Sequence, residues 1–233
     1  MERLARTHTV VSYDRRGFGS TEYEAEPHRS IDDLRSVLDA AGIERAHIVG
    51  NSMGGRLAID FALAETHRVA SLVLVSASID GAPPPAALPA EVEEWAEEIE
   101  RLEEAAEFEA VNELEARMWL DGPSRRPGHV EGGARELFLD MNGRALRAAP
   151  TGEVEDDAET PAWQRLAELD VPVLAVVVAH DLPHIRERTL GLEARINGAR
   201  TVVLAASAHV PQLDDPAALS EVLADFFADI QPK

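Results

Sequence analysis

The chain has 233 residues and no cysteine, which removes disulfide frameworks, thiolate zinc sites and cysteine nucleophiles together. Basic residues are scarce. Lys and Arg number 22 against 43 Asp and Glu, a formal charge of −21, and the single Lys is residue 233. No basic run exists to follow a phosphate backbone, so a nucleic-acid surface is not expected. Long apolar runs are missing too. The longest, residues 171–179, spans nine residues, where a bilayer needs roughly 20, and the opening MERLARTH lacks the apolar segment of a signal peptide. A cytoplasmic protein without membrane contact is the expectation. What is present is 45% hydrophobic residues, enough for a core in one or two compact domains.

The acidic excess is unevenly placed. Residues 1–80 carry −3, residues 81–170 carry −15 and residues 171–233 carry −3. Two nearly neutral flanks around an acidic middle suggest one core, residues 1–80 and 165–233, split by an inserted unit over 81–164.

Hydrophobic patterning fills in the flanks. Residues 8–13, HTVVSY, read as a short strand followed by the glycine-punctuated loop from Asp14 to Ser20. A helix is predicted from Ser30, with a capping-box pattern to Asp33, apolar Ile31, Leu34, Leu38 and Ala41, and Gly42 as its stop. A strand over 46–50, a helix over 53–64 and a strand over 70–77 follow. Alternation at this spacing marks a parallel sheet covered by helices. The same pattern resumes with a strand over 171–178, helical residues 186–195, a strand over 201–206 and a last helix capped by Asp215 with Pro216 in its first turn. In between, Gly81 to Pro85 breaks the sheet pattern. Residues 91–109 hold ten Glu and one Arg, with Val92, Trp95, Ile99 and Leu102 at helical spacing. Further helices are predicted over 109–120 and 134–148, then an acidic linker over 151–161.

Gly50-Asn51-Ser52-Met53-Gly54 places G-x-S-x-G between a predicted strand and a predicted helix. A serine on so tight a turn needs strained backbone angles, and Gly50 and Gly54 are the neighbours expected to give clearance. The free N–H groups of the following helix then face any oxyanion formed by attack of Ser52 on a carbonyl, the Met53 N–H first among them. A serine hydroxyl needs a base, and the base needs an orienting acid. His209 lies just past a predicted strand, at the sheet edge that carries Ser52, whereas His8, His47 and His67 belong at the opposite edge. Asp181 ends the strand over 171–178, and Asp80, after the strand over 70–77, is the other candidate acid.

The order Ser, Asp, His together with four segments carries a resemblance. They are residues 13–20 (YDRRGFGS), residues 49–55 (VGNSMGG), Asp181-Leu182-Pro183, and His209-Val210-Pro211-Gln212-Leu213. The chain resembles the α/β-hydrolase fold family, in particular its capped serine esterases, lactonases and C–C-hydrolase-like members, over nearly all residues outside the insert. The resemblance implies Ser52 as nucleophile, Asp181 as acid, His209 as base and Met53 N–H as one oxyanion donor. It implies no cofactor and no metal, and it makes the insert a helical cap following the third visible strand. Two departures stand out. The family's first strands, with the turn that supplies a second oxyanion N–H, have no counterpart before His8, so an upstream segment is expected. Alanines at 179, 206 and 208 also occupy the stretches where the family favours glycine.

Within the insert, Trp95, Trp119 and Phe138 are candidates to line a substrate cavity, although helical spacing also suits them to packing. The expected partner is a small, neutral and partly apolar molecule such as an ester or lactone, because a −15 insert repels anions. Association into a homo-oligomer is left open. A non-catalytic, ligand-binding homologue without a complete oxyanion hole is the competing reading.

Overall fold

The computed structural model describes residues 3–154 and 160–230. After one 3-10 turn at Leu4–Arg6, the chain runs without regular structure to α1 (Ser30–Ala40), then β1 (Ala46–Asn51), α2 (Met53–Ala64) and β2 (Val69–Val75). Three helices follow: α3 (Ala90–Glu104), α4 (Phe108–Glu115), which continues into a π-helical turn at Ala116–Asp121, and α5 (Gly133–Leu146). The short α6 (Ala162–Arg165) leads to β3 (Val173–Val178), α7 (Pro183–Leu190), β4 (Arg200–Leu204), the short α8 (Pro211–Asp214) and α9 (Pro216–Asp229). Part of the linker expected over 151–161 lies outside the described residues.

All four strands are parallel, in the order β1-β2-β3-β4. Both faces of the central strands are apolar, as a parallel sheet covered on two sides requires. On one face Leu72, Leu74, Val173 and Ala175 meet Leu34 and Leu38 of α1 and Ala58 and Phe61 of α2. On the other, Val73, Val75, Leu174, Val176 and Val178 meet Leu219, Leu223 and Phe226 of α9. That last helix begins as its sequence demands, with the Asp215 side chain accepting the Ala218 N–H at 3.1 Å.

Two expectations fail, each for a tertiary reason. Residues 8–13 form no strand. Among the described residues no strand pairs with them, and a short extended segment without a neighbouring ladder has no strand partner for its backbone groups. The helical insert therefore follows the second strand of the sheet and not a third. The capping box at Ser30 is absent as well: Arg29 occupies the cap position without a side-chain capping bond, its guanidinium donating to Asp32 at 2.9 Å. Ser30 Oγ instead meets Arg15 and Glu153, while Asp33 receives a two-pronged bond from Arg16 at 2.9 and 3.2 Å. Charged neighbours brought in by the loop after Tyr13 have taken the side chains that would have capped the helix.

Candidate active site

The turn between β1 and α2 holds Ser52 at φ 52° and ψ −116°, in backbone space that a non-glycine residue enters only when its surroundings compel it. Three contacts do so: Ser52 N–H donates to Val75 O at 3.0 Å, and its own carbonyl accepts from Gly55 N–H at 2.9 Å and Ser78 N–H at 3.0 Å. Clearance comes from Gly50, where a Cβ would stand 2.2 Å from the Gly54 carbonyl oxygen, and from Gly55, where it would stand 2.5 Å from Ala77 Cβ. Gly54 does not fill the role expected of it, since a Cβ there would meet nothing within 4 Å. Met53 is the first residue of α2, so its N–H has no acceptor one turn back.

The structure brings His209 to Asp181. The Nδ1 of His209 lies 2.8 Å from Asp181 Oδ2, and both residues are at most 5% exposed. The other carboxylate oxygen accepts the Leu182 N–H at 2.8 Å, fixing the acid at the end of β3. The loops carrying acid and base are joined by His180 N–H to Ser207 O at 3.0 Å. Asn51, immediately before Ser52, spans the gap to the base: its Nδ2 donates to Val75 O at 3.0 Å and to His209 O at 2.9 Å. Its Oδ1 accepts from Gln212 Nε2 at 3.2 Å. Sequence reasoning passed over Asn51 as the unspecified residue of the motif, although an amide at that position is able to bond to strands on either side. No hydrogen bond joins Ser52 Oγ to the imidazole; Asn51 links the turn of Ser52 to the loop of His209.

Asp80 stands elsewhere. Its carboxylate is 3.5 Å from Arg56 Nη2 and 44% exposed, and it has no contact with His209. Two further histidines crowd the acid loop. Burial, assisted by Arg188, pushes His184 below the ordinary histidine value, and burial with Arg125 does the same for His180. Both are thereby favoured as neutral rings beside Asp181. Arg188 is itself lowered from its ordinary value by burial, with Asp181 opposing, and its Nε donates to Ala77 O at 3.2 Å.

Of the three aromatic candidates, Trp119 touches the imidazole, with ring centroids 4.7 Å apart and planes tilted by 45°. Trp95 packs among Val92, Met118, Leu182 and Ile185 with Arg117 over its face, and Phe138 is buried among Ala116, Leu120 and Val130. The glutamates of α3 face solvent while Val92 and Leu102 turn inward. Among the described residues, no three imidazole or carboxylate groups gather as a metal site would need, and no helix is long and apolar enough to cross a membrane.

Residues 1–222 match the model of the alpha/beta hydrolase family, and the chain belongs to that family. A 2-hydroxy-6-oxononadienedioate/2-hydroxy-6-oxononatrienedioate hydrolase of Cupriavidus pinatubonensis is 29% identical over 207 residues, covering 84% of this chain and 66% of the relative. In two other curated relatives the match is confined to 80 residues and the chain spans 30% of their length. Among solved structures, the enol-lactonase of Burkholderia xenovorans superposes with a TM-score of 0.69 at 21% identity, covering 93% of this chain and 80% of that one. Est816, an N-acyl homoserine lactone degrading enzyme, gives 0.59 at 25% identity, covering 91% and 80%. The named relatives are thus hydrolases, and the fold is theirs.

Proposed function

We propose that the chain is a serine hydrolase that cleaves a small, neutral and partly apolar carboxylic ester or lactone through an acyl-enzyme on Ser52. The observation that carries this reading is the buried 2.8 Å contact between His209 and Asp181, on a loop bonded to Asn51, the residue beside Ser52. His209 takes the Ser52 proton through Nε2 as Oγ adds to the substrate carbonyl, and Asp181 holds the Nδ1 proton and so selects that tautomer. The Met53 N–H and the start of α2 face the oxygen on which charge develops, a donor worth about 2.7–4 kcal/mol of transition-state stabilisation. The intermediate collapses, the alkoxide leaves with the proton from His209, and a water deprotonated by the same ring releases the acid. The helices between β2 and β3 serve as a cap, with Trp119 packed on the base. Their acidic surface favours a neutral substrate over an anionic one.

A non-catalytic homologue is the second reading, favoured by the missing hydrogen bond from Ser52 Oγ to the ring. A fluorophosphonate separates the two. On the first reading the purified chain gains one phosphonyl group, mapped to Ser52 by peptide mass spectrometry and absent in Ser52→Ala. A folded protein that takes up no label supports the second.

A further inference from the structure

The loop after the π-helical turn of the insert is folded over a buried acid. Asp121, with 0% exposure, accepts the Gly128 N–H at 2.7 Å and the Val130 N–H at 3.0 Å, and pairs with Arg135 at 3.2 Å. Arg117 holds the near end through the Gly122 carbonyl at 2.6 Å. What this loop presents to the core is unusually specific. Gly122, at φ +86°, is pressed so closely between the two loops of the site that a Cβ would stand 2.3 Å from His180 O and 3.0 Å from Ala208 Cβ. The alanine at 208 thus occupies the space that Gly122 leaves open. Ser124 Oγ lies 2.6 Å from His180 Nδ1. Arg125 then reaches past both, its Nη1 donating to Asp214 Oδ2 at 3.0 Å and its Nη2 to the Ala206 carbonyl. The same Asp214 oxygen accepts the Ala208 N–H at 2.7 Å.

Arg125 and Asp214 have side chains only 6% and 7% exposed. A buried ion pair recovers its desolvation cost poorly, and an apolar pair of similar volume often holds a fold as well. Here the pair grips the backbone on each side of one short stretch, residues 206–208, directly before His209. We propose that Arg125 is a positioning residue for the base: through Asp214 and Ala206 it holds the loop so that the His209 ring stays on Asp181 and faces Ser52. The insert is then part of the mounting of the base as well as a cover, and lifting it loosens the histidine. This inference rests on the serine-hydrolase reading for its consequence in catalysis, though not for its geometry.

The test uses the whole chain with Arg125→Met, Arg125→Lys and Asp214→Asn. Arg126→Ala is the control, because Arg126 pairs with Glu131 at the surface, 67% and 72% exposed. Two readouts are taken on variants folded by circular dichroism: the rate of Ser52 phosphonylation across pH, and the downfield proton resonance of the Nδ1–H held between His209 and Asp181. Arg125→Met and Asp214→Asn are expected to label at least tenfold more slowly, with the resonance broadened or lost. Arg125→Lys, which keeps the charge toward Asp214, recovers part of both, and Arg126→Ala stays within twofold of the unaltered chain. A folded Arg125→Met with an unchanged rate, pH profile and resonance overturns the proposal, whatever its melting temperature. If Arg125→Met and Asp214→Asn fail to fold, Arg125→Lys decides alone, and labelling by it within twofold of the unaltered chain also overturns the proposal. Should the unaltered chain take no label, the hydrolase reading falls, and the resonance still decides whether Arg125 positions the ring: loss in Arg125→Met supports it and retention overturns it.

Discussion

The two halves of the site are held in very different ways. The candidate acid follows the central strand β3 and the candidate base follows β4, itself an edge strand paired only to β3 among the described residues, but their loops are bonded to each other and gripped by Ser124 and Arg125. The serine ends β1, an edge strand paired only to β2 among the described residues, with Val49 44% and Met53 53% exposed beside it. One half is held by side-chain contacts between loops, and the other by backbone hydrogen bonds that keep Ser52 in strained space, together with the reach of Asn51. Strain of this kind persists only where the neighbours overdetermine it, so the elbow is the more fragile half and the acid–base pair the more buried.

The largest effect should come from the buried half. Asp181→Asn is expected to lower ester turnover by about 10⁴ while leaving the fold, because the wrong imidazole tautomer then faces the serine. Asp80→Asn, which disturbs only a half-exposed contact with Arg56, should stay within about twofold, as surface changes usually do. Equal losses from the two would show that Asp181 is not the specific partner of His209. The elbow comes next. Gly50→Ala drives a Cβ into the Gly54 carbonyl and should cost about 1–3 kcal/mol in chemical denaturation. Gly54→Ala should be neutral or stabilising by up to about 1 kcal/mol, since it meets open space in a first helical turn. The reverse ranking would mean that the turn is built otherwise.

The smallest effect lies at the far end of β1. Partial desolvation of the His47 ring, then His8 and Arg45 nearby, lowers this exposed residue from its ordinary value of 6.5, with its ring against Phe227 and its Nδ1 2.8 Å from Ser71 Oγ. The unfolded chain therefore binds that proton more readily. The contribution of His47 to stability is unimpaired well above 6.5 and declines as pH falls through that value toward the lower folded one. His47→Gln should flatten this part of the stability–pH curve below neutrality, as read by denaturant midpoints at a series of pH values. A mutant curve parallel to that of the unaltered chain would contradict the sign.

Much of this was legible from residues alone. The elbow, α2, the Asp215 cap and the inward stripe of α9 are local patterns, and local patterns survive folding. Residues 8–13 carry the β-branched and aromatic residues of a strand, yet a strand exists only where a ladder partner does, and that is a non-local fact. Ser30 and Asp33 had the spacing of a cap, and Arg15, Arg16 and Glu153 took their side chains through contacts up to 123 residues apart in sequence. Gly55 was hidden behind its neighbour because a motif shows which positions are small and not which one touches Ala77. Asp214 and Arg125 had only a faint signal, two consecutive aspartates before Pro216 of which one suffices for a cap. Their 89-residue separation put the pair beyond pattern reading.

The claim that serine, histidine and aspartate act as one unit is most directly tested by the phosphonylation rate of Ser52 in His209→Ala, Asp181→Asn and the double variant. Groups that share a single function lose it once, so the double variant should label no more than about threefold more slowly than His209→Ala alone. Rates that fall by the product of the two single effects would show the side chains acting independently and would contradict the account.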